Sequence, residues 1–495
     1  MLFNSYTFLL AFLPASLLIF YGLRRAGLQR ASLFSLVLLS LLFYGYWNAV
    51  YLLLLVPLTL FNFTTAVEIA KQRVQKPPFA RTLMIFAVAV NLGVLAYFKY
   101  ANFFIDNLNS ALGVHVALAT IILPLGISFF TFQKIAFVVD VYRGRVDRLN
   151  LLDFSLFVSF FPQLIAGPIV HHAEVLPQFR RAEPIPGGLI VQGATIFAIG
   201  LAKKVLLADT AAMFATPGFD AAANGGALDA ISAWIAALAY TVQLYFDFSG
   251  YSDMAIGGAL MFGIRLPVNF ASPYKAESII DFWRRWHITL SRFLREYLYI
   301  PLGGNRQGKS RRYINLMLTM LLGGLWHGAG WTYIAWGALH GFYLVINHVW
   351  RSLRSHLPWM PPTVGMVERR VGRIVTFVAV VMAWVFFRAA NVHVATAMSR
   401  AMIGENGFGV GALTSDSAAA IMIIAALLLI AWFAPNSQEF VDYQGPDVNT
   451  PSVTTSKPTR WAWRPTTSWA FAIGCLTALS IMSLSKVSEF LYFQF

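Results

Sequence analysis

The stretch YINLMLTMLLGGLWHGAGWTYIAWGALHGFYLVINHV fills residues 313–349 and contains no Asp, Glu, Lys or Arg. A glycine-rich segment divides it into two apolar runs, 313–326 and 331–349. A helix needs about 20 apolar residues to cross the hydrocarbon core of a bilayer, so the second run is long enough to span. The first is short enough to be re-entrant, which is allowed where protein or water surrounds the backbone. The stretch therefore predicts membrane-embedded helices.

Further apolar runs lie on both sides of this stretch, near 6–23, 32–48, 50–68, 82–98, 151–168, 189–207, 229–247, 374–388, 418–434 and 467–485. The chain is 58% hydrophobic and 12% charged, whereas soluble domains carry about 25% charged residues. The sequence therefore predicts an all-α polytopic membrane protein, in which 117–139, 151–168 and 313–326 are re-entrant or half-buried. The single cysteine, Cys475, excludes an intrachain disulfide scaffold.

The basic residues cluster between the apolar runs and give the chain a formal net charge of +15. This placement favours cytoplasmic loops that face anionic lipid headgroups over a surface that binds nucleic acid. We therefore predict that 24–30, 71–81 and 143–148 are cytoplasmic. Because the first basic group follows the first apolar run, we expect an uncleaved first helix with its N-terminus outside.

The longest segment that does not resemble a span is 265–312. Within it, DFWRRWHITLSRFLREYL at 281–298 places aromatic residues near one helical face and arginines mostly elsewhere. This pattern predicts one amphipathic helix at the membrane surface. Residues 281–312 hold eight basic side chains against only Asp281 and Glu296, which marks the segment as cytoplasmic: Arg284, Arg285, Arg292, Arg295, Arg306, Lys309, Arg311 and Arg312. The polar stretch 435–466 is predicted to be a loop between the last two spans.

Residues 303–310, GGNRQGKS, match the phosphate-binding pattern GxxxxGK[ST] letter for letter. A phosphate-binding loop of this type joins a strand to a helix. No βαβ pattern surrounds these residues, so we interpret them as a basic, glycine-rich turn.

His327 lies at the end of the first run, in the segment GGLWHGAGW at 323–331. A histidine at membrane depth is costly and suggests a functional site. The glycines leave room for a ligand, and Trp326 and Trp331 are placed to wall a narrow channel. The alternative is an interfacial histidine within an aromatic belt. The residues alone do not decide between the two.

His287, in the segment WRRWH, is the second candidate. A neutral imidazole takes up a proton near pH 7, so two imidazoles can divide acid, base and positioning work. The alternative, favoured by the pattern alone, is an interfacial residue that anchors a surface helix. For His340 the pattern favours packing between helices over a cavity-lining role.

The adjacent pair His171 and His172 suggests a metal site. We predict no metal there, because neighbouring side chains point in different directions and no set of carboxylates accompanies them.

In YFDFSGYSD at 245–253, Asp247 and Asp253 interrupt an apolar run. We interpret them as a hydrogen-bonded helix break, with Ser249 and Asp253 as caps, in a loop that frames a cavity. A passage for ions or substrate is the alternative.

Several of these strings together resemble the membrane-bound O-acyltransferases. They are YFDFSGYSDMAIG at 245–257, NFASPY at 269–274, DFWRRWHITLS at 281–291, IPLGGNR at 300–306 and GLWHG at 324–328. The resemblance implies a single domain over 1–495 with its core motif block at 245–345. It also implies a multi-helix fold around a transmembrane tunnel, with His327 as the essential buried histidine and His287 as the second signature position.

The resemblance implies acetyl transfer to an exported polysaccharide such as alginate, by a multi-pass protein of the bacterial inner membrane that works with periplasmic acetyl-transfer proteins. We expect no bound cofactor. The substrate is then acetyl-CoA or another acyl donor, which approaches from the cytoplasmic side near 281–312, where basic side chains suit its phosphates. His327 would act as general base, and His287 would position groups or transfer a proton. The alternatives are transfer of D-alanyl or another acyl group to a cell-envelope polymer, acetylation of another glycan, and a transporter without chemistry.

Overall fold

A computed structural model describes residues 1–181, 183–354, 356, 365–409, 415–446, 462–484 and 490–491, and contains no β-strand among them. The α-helices are α1 Leu13–Arg25, α2 Gln29–Gly45, α3 Leu52–Gln75, α4 Pro77–Leu112, α5 Ile127–Tyr142, α6 Leu151–Ser159, α7 Phe161–Leu164, α8 His172–Phe179, α9 Gly187–Ala202, α10 Asp209–Ala223, α11 Ala230–Met261, α12 Ile279–Arg285, α13 Ile288–Leu294, α14 Gly308–His327, α15 Trp331–Arg354, α16 Met366–Arg388, α17 Val392–Met402, α18 Ser415–Phe433, α19 Ser437–Phe440 and α20 Thr467–Met482. Single π-helical turns occupy Thr7–Phe12, Lys203–Ala208 and Arg295–Tyr299. Short 3₁₀ helices occupy Ala49–Tyr51 and Pro273–Lys275.

Within the described part of the chain, six helical segments are long and apolar enough to cross a membrane: Thr7–Arg25, Ala49–Gln75, Pro77–Leu112, Gly187–Ala223, Ala230–Met261 and Met366–Arg388. Large apolar side chains project outward from several of them, and Leu18 and Leu53 are 75% and 77% exposed. Such surfaces suit lipid as the surrounding solvent. The prediction of an all-α polytopic membrane protein is confirmed.

The chain forms two compact units. The first comprises 1–201, 251–268 and 437–494, and the second comprises 202–250 and 269–436. The loop predicted at 435–466 contains the short helix α19, and its residues 447–461 lie outside the described part of the chain.

In the first unit, α5 is buried along almost its whole length, since 14 of its 16 residues are buried. Residues 114–124, ahead of it, are not helical. The run predicted at 151–168 is interrupted at Phe160, where α6 gives way to α7, and the backbone N–H of Phe161 donates to Ser40 Oγ at 3.0 Å. A break within an apolar run is tolerated because a neighbouring side chain satisfies the freed backbone.

The motif YFDFSGYSD contains no helix break, because α11 continues through it. The prediction of caps and of a loop framing a cavity is therefore wrong. Asp247, in the second unit, lies 2.7 Å from Lys204 Nζ, which also lies 2.9 Å from Asp209. Asp253, in the first unit, accepts hydrogen bonds from side chains of the 437–438 segment at 2.6 and 2.7 Å. Partners remote in sequence satisfy both buried carboxylates, and a local pattern does not reveal them.

The GGNRQGKS segment comes after a π-helical turn that ends at Tyr299, and α14 begins within it at Gly308, so no strand leads into it. Gly303, Gly304 and Gly308 have positive φ angles of 107°, 56° and 87°. The segment is a glycine-rich turn between helices, as the surrounding sequence indicates.

Candidate active site

His287 occupies a break in the segment predicted to be one helix. Helix α12 ends at Arg285 and α13 begins at Ile288, so the single amphipathic helix predicted over 281–298 is wrong. His287 itself has a φ of +43°, in the left-handed region. Two backbone bonds hold the break, from Ala271 N–H to Arg285 O at 2.9 Å and from Ile288 N–H to Asn269 O at 3.0 Å.

This conformation is costly for a residue with a side chain and persists only where the surrounding structure imposes it. Strained backbone of this kind clusters at functional sites. His287 is 0% exposed, which rules out its interpretation as an interfacial anchor.

The side chain of Asn269 fixes the imidazole of His287. Its Oδ1 lies 3.1 Å from His287 Nδ1 and also accepts from Thr289 Oγ1 at 2.9 Å. Because an amide oxygen only accepts, Nδ1 carries the proton and Nε2 is the acceptor of the neutral ring. Burial lowers the pKa of His287 to about 3, so the ring is neutral near pH 7.

His327 is the last residue of α14 and is 5% exposed. Its ring is surrounded by Trp326, Trp336 and Phe387, at centroid distances of 4.8, 5.0 and 5.3 Å, each edge to face. The centroid of His287 lies 6.5 Å away. Both histidines singled out in the sequence therefore lie in one buried aromatic site of the second unit.

Glycines bring the two helices that flank the site into backbone contact. A Cβ on Gly324 would overlap the carbonyl oxygen of Tyr333, and a Cβ on Gly337 would overlap that of Met320. A Cβ on Gly328 would overlap the ring of Tyr333. The GGLWHG motif thus packs α14 against α15 and holds His327 at their junction.

The two tryptophans of this motif have different environments. Trp326 is 4% exposed and contacts both histidines, with a centroid 6.2 Å from that of His287. Trp331 is 58% exposed, and the expectation that it walls a channel stays a prediction. Sequence reasoning did not identify Phe387 or Trp336 as site residues, and Asn269 entered only as part of a family string.

His340, for which packing was predicted, is 0% exposed and lies one helical turn after Trp336. Its ring centroid is 4.8 Å from that of Trp336 and 5.1 Å from that of Trp283. Neither ring nitrogen has a hydrogen-bonding partner within the described part of the chain.

In the first unit, His171 and His172 converge on Asp140. The expectation that they point apart is wrong, because their ring centroids are 4.1 Å apart and His171 Nε2 lies 2.7 Å from Asp140 Oδ2. All three groups offer ligand atoms within 4.8 Å of one another. Burial, followed by the neighbouring His171, lowers the pKa of His172 to about 4. Arg145 and Arg143 lie 3.2 and 3.6 Å from the same carboxylate and compete with any cation. The absence of metal stays a prediction.

The sequence of this chain is similar to those of several known proteins. A sequence model of the membrane-bound O-acyltransferase family matches residues 39–395. The chain is 45% identical to the peptidoglycan O-acetyltransferase of Helicobacter pylori, over 84% of this chain and 82% of that one. It is 41% identical to the probable alginate O-acetylase of Pseudomonas putida over the full length of both. It is 28% identical to the teichoic acid D-alanyltransferase of Streptococcus thermophilus, over 53% of this chain and 68% of that one.

Proposed function

Because the chain belongs to the membrane-bound O-acyltransferase family and is a multi-pass membrane O-acyltransferase, we propose that it moves an acetyl group from a cytoplasmic donor across the bacterial inner membrane to an exported or cell-envelope polysaccharide. The observation that carries this proposal is the pair of buried imidazoles, His287 and His327, with centroids 6.5 Å apart. Two imidazoles at this spacing can each hydrogen-bond to a different hydroxyl group of one acceptor molecule bound between them.

His327 is the general base of the proposed reaction. It takes the proton of the acceptor hydroxyl while the hydroxyl oxygen forms a bond to the carbonyl carbon of the acyl donor. The bond from that carbon to the donor sulfur then breaks, and His327 returns the proton to the departing thiolate. A general base contributes about 10²–10⁴-fold, so the aromatic enclosure of the ring must supply much of the remainder by positioning.

His287 is suited to orient the acceptor. Its hydrogen bond to Asn269 fixes the tautomer, so that Nε2 is the acceptor of the ring. Because the reacting hydroxyl gives its single proton to His327, this accepting nitrogen would receive a hydrogen bond from a neighbouring hydroxyl of the substrate and so hold the reacting group in line for attack. The backbone on either side of His287, bonded to Ala271 at Arg285 and to Asn269 at Ile288, keeps the ring in place.

The proposed donor is acetyl-CoA or another phosphate-bearing acyl donor, with no bound cofactor. Several basic side chains of the 281–312 segment are exposed, among them Arg284, Arg306 and Lys309. Exposed guanidinium and ammonium groups bind phosphate through charge-assisted hydrogen bonds. This end of the second unit therefore suits a cytoplasmic donor.

Acetyl is preferred over D-alanyl because the relatives matched at 45% and 41% identity are named O-acetyl enzymes, while the D-alanyltransferase matches about half the chain at 28%. By analogy, the acceptor is peptidoglycan, alginate or a similar polymer, reached with periplasmic acetyl-transfer proteins. A transporter without chemistry is disfavoured, because these relatives are named transferases.

The test uses a deletion strain that expresses the wild-type chain or His327→Ala at equal membrane levels. Cells receive labelled acetate or labelled D-alanine, and alkali-labile label is measured in envelope and secreted polymer. We expect acetate label with the wild type and none with His327→Ala. His393→Ala, which removes an exposed histidine, is the control and should behave as wild type. Normal acetylation by His327→Ala would overturn the assignment, and label from D-alanine alone would replace acetyl by D-alanyl.

A further inference from the structure

Three polar side chains in the aromatic surroundings of His327 have ring nitrogens without a hydrogen-bonding partner in the described part of the chain. Both nitrogens of His340, and the indole nitrogens of Trp336 and Trp283, have no hydrogen-bonding partner among the residues that the structure describes. His340 and Trp336 are 0% and 1% exposed. Buried polar groups in proteins are almost always hydrogen-bonded, and an exception calls for an explanation such as a bound molecule.

These groups adjoin the proposed site of acyl transfer. The ring of Trp336 contacts both that of His327 and that of His340, at 5.0 and 4.8 Å between centroids. Trp283 contacts both Trp336 and His340, at 5.8 and 5.1 Å. The three side chains form one cluster, which we call the indole–imidazole cluster: Trp283, Trp336 and His340.

The hydrogen-bonding inventory of the cluster indicates what it binds. Each indole offers one donor and no acceptor, and a neutral imidazole offers one donor and one acceptor. The cluster thus presents three donors against one acceptor. It also lies among further aromatic rings, Phe282 at 6.0 Å and Trp384 at 6.1 Å from His340. An uncharged group rich in acceptors, above all a carbonyl oxygen with its two lone pairs, complements such a site.

We propose that the indole–imidazole cluster binds the carbonyl oxygen of the acyl donor, an inference that rests on the proposed function of His327. When the acceptor oxygen attacks the carbonyl carbon, the π electrons of the C=O bond move onto its oxygen. They return when the bond to the donor sulfur breaks. Donors fixed where this negative charge develops stabilise the transition state more than the ground state. The cluster is then the oxyanion site of the enzyme.

The positions of these donors are fixed before substrate arrives. Trp336 and His340 lie four residues apart on one face of α15, and the glycine contacts between α14 and α15 leave no space for the helices to shift closer. Preorganised donors of this kind need no rearrangement during the reaction. Their proximity to His327 places charge stabilisation and proton transfer in the same enclosure.

The experiment compares Trp336→Phe, His340→Phe and His340→Gln in inverted membrane vesicles supplied with labelled acetyl-CoA. Transfer rates at several donor concentrations, normalised to the amount of protein, give kcat and KM. We expect the two Phe variants to lower kcat about 10²–10³-fold, as loss of one oxyanion donor does, with KM changed only a few-fold. His340→Gln keeps an N–H donor and should recover part of the rate.

Trp234→Phe is the matched control. It also removes an indole N–H of the second unit, but this one already donates to the carbonyl of Met402 at 2.9 Å. It should retain wild-type kcat. For the same variants, labelled acetate in polymer is also measured in intact cells. This measurement requires no assumption about the identity of the acyl donor.

Wild-type kcat in Trp336→Phe and His340→Phe would overturn the inference and assign the cluster to packing or to ordered water. Equal losses in His340→Gln and His340→Phe, in step with a loss of folded protein, would do the same. The proposed function fails separately, if His327→Ala transfers at the wild-type rate. If His327→Ala is inactive while His340→Phe transfers at the wild-type rate, the proposed oxyanion site is wrong and the proposed function of His327 stands.

Discussion

Asn269 Oδ1 lies 3.1 Å from His287 Nδ1 and thereby sets the tautomer of a histidine 18 residues further along the chain. The same oxygen accepts from the hydroxyl of Thr289. Replacing Asn269 by Leu removes an acceptor shared by three donors, His287 Nδ1 and the backbone N–H and hydroxyl of Thr289, and each buried donor left without an acceptor costs about 1–3 kcal/mol. We expect transfer activity to fall at least about tenfold. Asn269→Asp retains an acceptor and should lose less, as measured by labelled acetate in polymer per amount of protein. Equal activity in Asn269→Leu and wild type would show that the tautomer of His287 does not matter.

The two imidazoles should act as one unit. If His287 orients the hydroxyl that His327 deprotonates, removing either group removes most of the same rate enhancement. The double variant His287→Ala/His327→Ala should therefore be no slower than His327→Ala alone. Single and double variants are compared by initial rates in vesicles. Strictly multiplicative losses would indicate that the two rings contribute independently.

Gly324→Ala should impair folding because the added methyl group overlaps the backbone of Tyr333. Overpacking of this kind typically costs about 1–3 kcal/mol. The control is Gly93→Ala in α4, where an added Cβ meets no atom within 4 Å. We expect Gly324→Ala to lower the yield and the melting temperature of detergent-solubilised protein, and Gly93→Ala to leave both unchanged or raised. Unaltered melting in Gly324→Ala would contradict the close helix contact.

Lys204 neutralises two carboxylates, those of Asp247 and Asp209, at 2.7 and 2.9 Å. Its side chain and that of Asp247 are 2% and 1% exposed. Removing one partner of a buried ion pair costs about 3–5 kcal/mol, because the other charge is left without compensation. Lys204→Met should therefore destabilise the protein strongly, and Lys204→Met/Asp247→Leu should recover part of the loss. Thermal unfolding followed by size-exclusion chromatography measures this, and a double variant that is no better than the single one would argue against the pairing.

The Asp140–His171–His172 cluster should bind no stoichiometric metal. Arg145 and Arg143 already lie 3.2 and 3.6 Å from the carboxylate and repel a cation. Elemental analysis of the purified protein should show less than one zinc per chain, and a chelator should leave transfer unchanged. One tightly held metal per chain, lost in His171→Ala, would reverse the prediction.

The fold was largely predictable because apolar runs of spanning length have few alternatives to helices. The hydrophobic periodicity of 281–298 could not show the helix break at His287, because backbone hydrogen bonds with Asn269 and Ala271 impose that break. The helix break predicted at Asp247 and Asp253 was wrong for a similar reason, because the partners of both carboxylates are remote in sequence. Burial of polar groups by distant partners is a tertiary property.

For the site, the chemistry of histidine at membrane depth pointed to His327, while His287 was identified only through the resemblance of the surrounding strings. The structure adds what sequence spacing does not contain, the approach of the two rings to 6.5 Å. His340 was assigned to packing because an apolar helix surrounds it. Only the missing partners of its ring nitrogens, among the residues described, distinguish it from a core residue.

The glycine contacts between α14 and α15 also limit how this enzyme can diverge. His327 lies on α14 and Trp336 on α15. Because the backbones of the two helices are in contact, substitutions of other side chains do not change the distance between these two residues. Any descendant that keeps Gly324 and Gly337 inherits the same reaction centre unchanged. Under the proposed function, a new acceptor specificity must therefore arise through mutations elsewhere in the chain, while the proposed chemistry stays constant.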